Sequence, residues 1–78
     1  VPLFMVIRYV KMNTEPVELY KVLKFEALVH SGGMARHVIE EGLVYVNGEL
    51  EKRKRRKIIS GDVIEFNGNK IQMIQRND

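Results

Sequence analysis

"HSGGMARHVIEEGLVYVNGEL", residues 30–50, changes its period halfway along. Up to Gly42 the apolar residues Ala35, Val38 and Ile39 recur at helical spacing, with Met34 beside them. Arg36, His37, Glu40 and Glu41 fall on the opposite side. Ser31 is suited to the N-cap, because a short hydroxyl accepts from an amide that the first turn leaves free. Gly42 supplies the stop, since helices commonly end on a residue with positive φ. From Leu43 the period is two. Val44 and Val46 share a face, and Asn47-Gly48 signals a type I′ hairpin, which needs positive φ at both central positions. A helix followed at once by strand and tight turn predicts an α+β fold.

Reading outward towards the N-terminus, "FMVIRYVKM" (4–12) is rich in β-branched and aromatic residues and predicts a strand. "NTEP" follows, with Thr14 or Glu15 as helix cap and Pro16 in the first turn, where a missing N–H costs little. Leu19, Val22 and Leu23 then form the apolar stripe of a first short helix, and Val29 closes the turn behind it. Towards the C-terminus, Ile58 precedes a tight turn at Ser60-Gly61-Asp62. A strand at Val63–Phe66, a turn at Asn67-Gly68-Asn69 and a last strand from Lys70 to Ile74 complete a short antiparallel sheet, before a polar tail, "QRND". Phe66 and Met73 are assigned to the core. No repeat, linker or low-complexity tract interrupts this order, so residues 1–78 are expected to form one domain.

A chain of 78 residues buries one modest core and leaves little room for an enclosed active site. Its 45% hydrophobic and 29% charged residues match globular averages. The most apolar run, "VPLFMVIRYV", is broken by Arg8 and is about half the ~20 residues of a transmembrane helix. It lacks a basic leader, so neither a signal peptide nor a membrane location is expected. The absence of cysteine excludes disulfides and thiolate metal sites, and fits a cytoplasmic protein.

The charge is unevenly spread. "EKRKRRK" (51–57) sets six basic residues in a row behind Glu51. Those six outweigh the formal net charge of +3, so the rest of the chain sums to −3. Lying between a hairpin and a tight turn, the run is read as a loop or an exposed edge strand. In an extended segment Arg53, Arg55 and Lys57 would point one way and Lys52, Lys54 and Arg56 the other. Both sets cannot face a core. Six unbroken like charges exceed what solubility needs, because self-repulsion costs stability, and this favours a polyanion partner over a merely solvated loop.

The segment from Ser31 to Phe66 resembles the RNA-binding domain named after the fourth protein of the small ribosomal subunit, the S-four domain. The resemblance rests on Ser31, Ala35-Arg36, Val38-Ile39, Gly42, Val46-Asn47-Gly48, Lys52–Lys57 and Gly61-Asp62, in that order, and extends over about residues 17–74. The run after Val-Asn-Gly-Glu looks most like the small stand-alone bacterial members. The resemblance implies two short packed helices against a small antiparallel or mixed sheet, the alpha-L RNA-binding motif. It also implies binding to structured RNA: ribosomal RNA, a tRNA or a ribosome assembly intermediate. In this family the start of the second helix and the basic loop face the RNA. Many members carry Ser-Arg at the second-helix cap; here Ser31 is followed by Gly32-Gly33, which shifts the anion contact to backbone N–H groups.

The candidate site is therefore Ser31, Gly32, Gly33, Arg36 and His37 together with Lys52, Arg53, Lys54, Arg55, Arg56 and Lys57. A helix start offers free N–H donors and a positive dipole end. Two glycines admit a phosphate close to the backbone, and Arg36 can add a bidentate contact. By itself Ser31-Gly32-Gly33 also reads as an ordinary cap, and it is no P-loop, lacking the Gly-Lys-Ser/Thr ending. His30 and His37 are seven apart across a helix start, poor metal-ligand geometry, and read as surface residues. Glu40-Glu41 read as a solvated acidic edge, and Tyr45 as cross-strand packing before base stacking. No metal, cofactor or catalytic group is expected, and the protein should act as a monomer. Two other classes fit less well. A protein-interaction adaptor would use the acidic helix face or the first strand's edge. A β-grasp carrier, echoed in "YVNGE" and "GDVIEF", would need a C-terminal Gly-Gly where the chain has Gln75-Arg76-Asn77-Asp78.

Overall fold

The computed structural model describes residues 6–76, so Phe4 and Met5 of the predicted first strand and the end of the polar tail lie outside it. The chain runs β1 (Val6–Met12), β2 (Val17–Glu18), α1 (Leu19–Phe25), α2 (Gly32–Glu40), β3 (Val44–Val46), β4 (Glu49–Leu50), β5 (Lys57–Ile58), β6 (Val63–Phe66) and β7 (Asn69–Gln75). Five strands form one sheet in the order β1-β7-β6-β3-β4. All its pairings are antiparallel except β1 with β7, which is parallel and makes the sheet mixed. Two turns fix the register. Asn47 and Gly48 have φ of 53° and 83°, and Asn67 and Gly68 of 51° and 80°, the paired positive angles of type I′ hairpins.

The helices cover one face of this sheet. Leu19, Val22 and Leu23 of α1 and Ala35, Val38 and Ile39 of α2 bury against Met12, Val44, Val46, Ile64, Ile71 and Met73 from the strands. Burial alternates along β3, whose outward Tyr45 lies opposite Leu50 and Glu65 on the neighbouring strands. Met73 is core as expected, while Phe66 is only partly buried against it.

The first helix begins later than its sequence suggests. Pro16 does not occupy a first turn, and neither Thr14 nor Glu15 is the cap; the N-cap is Glu18, whose side chain makes no capping bond. The preceding residues are spent elsewhere. Val17 and Glu18 pair antiparallel with Ile58 and Lys57. The Leu19 and Tyr20 amides donate to the Arg56 and Lys54 carbonyls, at 2.8 and 3.1 Å. The Glu15 carboxylate does accept an amide, but that of Ser60, at 2.7 Å. Backbone from the basic segment thus takes the place of a side-chain cap.

Both helices end alike. In α2 the Leu43 and Gly42 amides return to the Val38 and Ile39 carbonyls, a Schellman closure with Gly42 at φ 80°. In α1 the Leu28 and Ala27 amides return to Leu23 and Lys24, with Ala27, not a glycine, at φ 58°.

Candidate nucleic-acid interface

The start of α2 forms as its sequence predicts. Ser31 is the N-cap, in extended conformation, and its Oγ accepts from the Met34 amide at 3.1 Å. The first backbone bond of the helix, from the Ala35 amide to the Ser31 carbonyl, closes at 3.0 Å. The amides of Gly32 and Gly33 come before any intrahelical acceptor and stay available. A Cβ at Gly33 would meet nothing nearer than Ser31 Oγ, at 3.8 Å, so the approach to these amides is open.

The basic run folds around an anion. Glu51 is buried, at 6% exposure, the one charged residue so enclosed among those described. Its Oε2 accepts from the Arg53 amide at 3.0 Å and Arg53 Nε at 2.9 Å, and its Oε1 from Arg53 Nη2 at 3.0 Å and Arg56 Nη1 at 2.8 Å. The Arg53 hydrogen bond above all, with help from Arg56 and against the opposing cost of burial, holds the Glu51 carboxyl down at about 2. The Arg56 amide donates a hydrogen bond to the Arg53 carbonyl at 3.1 Å and closes the turn. The segment is therefore a turn up to Lys57, where β5 begins, and the alternation expected of an extended strand does not apply.

Self-repulsion within the run is also less than its sequence implies. Lys54 meets Glu40 at 3.0 Å and Arg55 meets Glu18 at 3.8 Å, both pairs well exposed on the basic side. Lys52 and Lys57 make no ion pair among the described residues. Acids from α2, from the edge of α1 and from within the run itself offset much of the charge.

The two ends of the segment are tied together. Asn47 Nδ2 donates to Asp62 Oδ1 at 3.0 Å, and Asn47 Oδ1 accepts from the Val63 amide at 2.9 Å. Asp62 Oδ2 accepts from the Ile59 amide at 3.0 Å. Asp62 is thus more than a turn residue: with Asn47 it clamps the base of the loop that carries residues 51–57.

Tyr20 brings the two halves of the site together. Its amide holds the Lys54 carbonyl of the basic turn. Its ring carries the Arg36 guanidinium at 4.7 Å from the centroid, beside Gly32. Stacking fixes the guanidinium plane while its in-plane N–H groups stay free to donate. His37 stands apart from this stack, exposed, with Nε2 3.7 Å from Glu41 Oε1. No group of side chains able to hold a metal ion occurs among the described residues. Sequence reasoning missed Tyr20 and the anchoring role of Glu51. The only sequence signal for Glu51 is an acid heading a basic run; Tyr20 reads there as one more helical residue.

A family model described as the S4 domain matches residues 10–74. "Putative RNA-binding protein YbcJ" of Escherichia coli (strain K12) is 43% identical over 58 residues, covering 74% of this chain and 83% of the relative. "Probable ribosome maturation protein RlbA" of Bacillus subtilis (strain 168) is 39% identical over 59 residues, covering 76% and 83%. The solution structure of the E. coli protein, described as revealing an alphaL motif involved in RNA-binding, superposes with a TM-score of 0.66 over 85% of both chains at 39% identity.

Proposed function

The chain belongs to the S4 domain family, and from that premise we propose that it is a non-catalytic RNA-binding protein. It grips the phosphate backbone of structured RNA, ribosomal RNA or tRNA, and acts as a monomer in the cytoplasm during ribosome assembly or translation. The name of the B. subtilis relative supports the ribosomal setting. The RNA-binding unit spans about residues 17–74.

The observation that carries this reading is the join at Tyr20, which sets the free amides of Gly32 and Gly33 and the stacked Arg36 beside the basic turn. Phosphates at the helix start meet N–H donors and the positive end of the helix. Phosphates along the turn meet Lys52 and Lys57 directly. Arg53 keeps donors facing solvent while Glu51 holds its other edge, so this guanidinium is pre-set rather than floppy. Lys54 exchanges the exposed Glu40 carboxylate for phosphate and Arg55 the half-buried Glu18, swaps that cost little because pairs with well-exposed cations are weak. His37 contributes at the rim. A-form RNA hides its base edges in a deep groove, so this surface reads backbone shape more than sequence. The ionisable groups here brace the turn rather than converge on a reacting atom, which supports binding without chemistry.

The test is a titration against a ribosomal RNA fragment at increasing salt. Neutralising about four to six phosphates gives a log–log slope of roughly −3 to −5. Lys52→Gln with Lys57→Gln weakens binding several-fold and leaves the fold intact, since neither side chain makes an internal ion pair and no new charge is set opposite Glu18. Affinity indifferent to salt would overturn the reading.

A further inference from the structure

An open pocket of about 460 Å³ lies beside the basic turn, between β2, α1 and β5. Pro16, Val17 and the ring of Phe25 give it apolar walls, and Lys21, Lys57 and Glu18 its charge. Resting on the RNA-binding reading above, we infer that this pocket receives one unpaired nucleotide of the bound RNA, its base stacked on Phe25.

Three observations carry this. Phe25, the last residue of α1, is 65% exposed although it adds nothing to the core. Single-stranded bases stack on exposed rings in basic grooves, and Lys21 and Lys57 line the pocket that Phe25 walls. Lys57 ends the basic run, so the pocket continues the proposed interface, and it has no carboxylate partner among the described residues. Lys21 lies 3.3 Å from Glu18 Oε1, which leaves the pocket with both cation and acceptor.

The pocket's charge limits what it can hold. Glu18 repels a second phosphate, so the pocket suits one nucleotide rather than a stretch of duplex backbone. Once Arg55 leaves Glu18 Oε2 for phosphate, the same carboxylate accepts N–H groups from the edge of a base. The volume falls within the ~300–1,000 Å³ of small-molecule sites, yet the pocket is open on one side. A free metabolite would be poorly enclosed there. A base tethered to RNA already held by the basic turn needs no enclosure, because the tether supplies a high effective concentration. Bulged and looped bases are the parts of RNA that aromatic side chains take up.

The probes are two hairpin RNAs of equal length, one fully paired and one carrying a single bulged fluorescent adenine analogue. The protein binds the bulged hairpin about tenfold more tightly and quenches its fluorescence, as expected for one stacked base. Phe25→Ala removes both the preference and the quenching and leaves affinity for the paired hairpin unchanged; Phe25→Tyr keeps all three. Equal affinity for the two hairpins, or a preference that survives Phe25→Ala, overturns the pocket assignment while leaving the backbone grip standing. Failure to bind either hairpin overturns the RNA-binding reading itself, and the pocket with it.

Discussion

The two helices begin in opposite ways. α2 starts on a bond between Ser31 and Met34, three residues apart, a cap that takes no partner from the rest of the chain. α1 has no side-chain cap; its first amides are satisfied by carbonyls of Lys54 and Arg56, in the turn that Glu51 ties together and β5 continues. One half of the proposed grip is therefore built locally, and the other is built jointly with the helix it supports. A basic loop that also caps a helix cannot loosen without cost, so its cations are held in place before any RNA arrives.

Breaking the anion at the centre of the joint half should have the largest effect. Glu51→Gln removes a buried carboxylate whose depression from 4.5 to about 2 is worth on the order of 3 kcal/mol. Urea unfolding at neutral pH should show a loss of about 2–3 kcal/mol, with faster amide exchange at Leu19 and Tyr20 than at Met34. The sign with pH follows from the lowered value. The stabilisation is complete above the unfolded-state value near 4.5, shrinks as pH falls, and is gone below about 2. The wild type and the variant should thus converge in acid.

Ser31→Ala breaks the local half and should cost about 1 kcal/mol. Its increased amide exchange should be confined to Met34 and its neighbours, leaving Leu19 and Tyr20 protected. Loss of protection at both helix starts would show that the two are coupled after all.

The helix ends sharpen the same contrast in smaller steps. Both close through a residue at positive φ, but one is Gly42 and the other Ala27. Ala27→Gly relieves a Cβ penalty and should stabilise by roughly 0.5–1 kcal/mol, read as a raised urea midpoint. Gly42→Ala should do the reverse by a similar amount, its new Cβ also approaching Lys52 Cε to 3.4 Å.

The smallest effect on stability belongs to Glu40→Gln. Its pair with Lys54 is exposed, so unfolding free energy should change by less than about 0.5 kcal/mol. Affinity for RNA should rise a few-fold, because Lys54 no longer has a carboxylate to leave. Weaker binding would mean that Glu40 positions Lys54 rather than competing with RNA for it.

What the sequence determined by itself was everything set by neighbours. Ser31 and Gly42 bound α2 because a cap hydroxyl and a left-handed stop act within a turn or two. Asn47-Gly48 and Asn67-Gly68 fix hairpins because two positive φ angles are a property of those residues. The apolar stripes of both helices and the place of the basic run between hairpin and turn were legible for the same reason. The tertiary structure decided what depends on residues far apart. Pro16 looked like a first-turn residue until Val17 and Glu18 were drawn into pairing with β5. The six cations looked mutually repulsive until Glu18, Glu40 and the buried Glu51 came to meet four of them. Tyr20 looked like an ordinary helical residue until Arg36 stacked on its ring. A local pattern cannot encode these, because a hydrogen bond or ion pair between distant residues exists only once the core has brought them within reach.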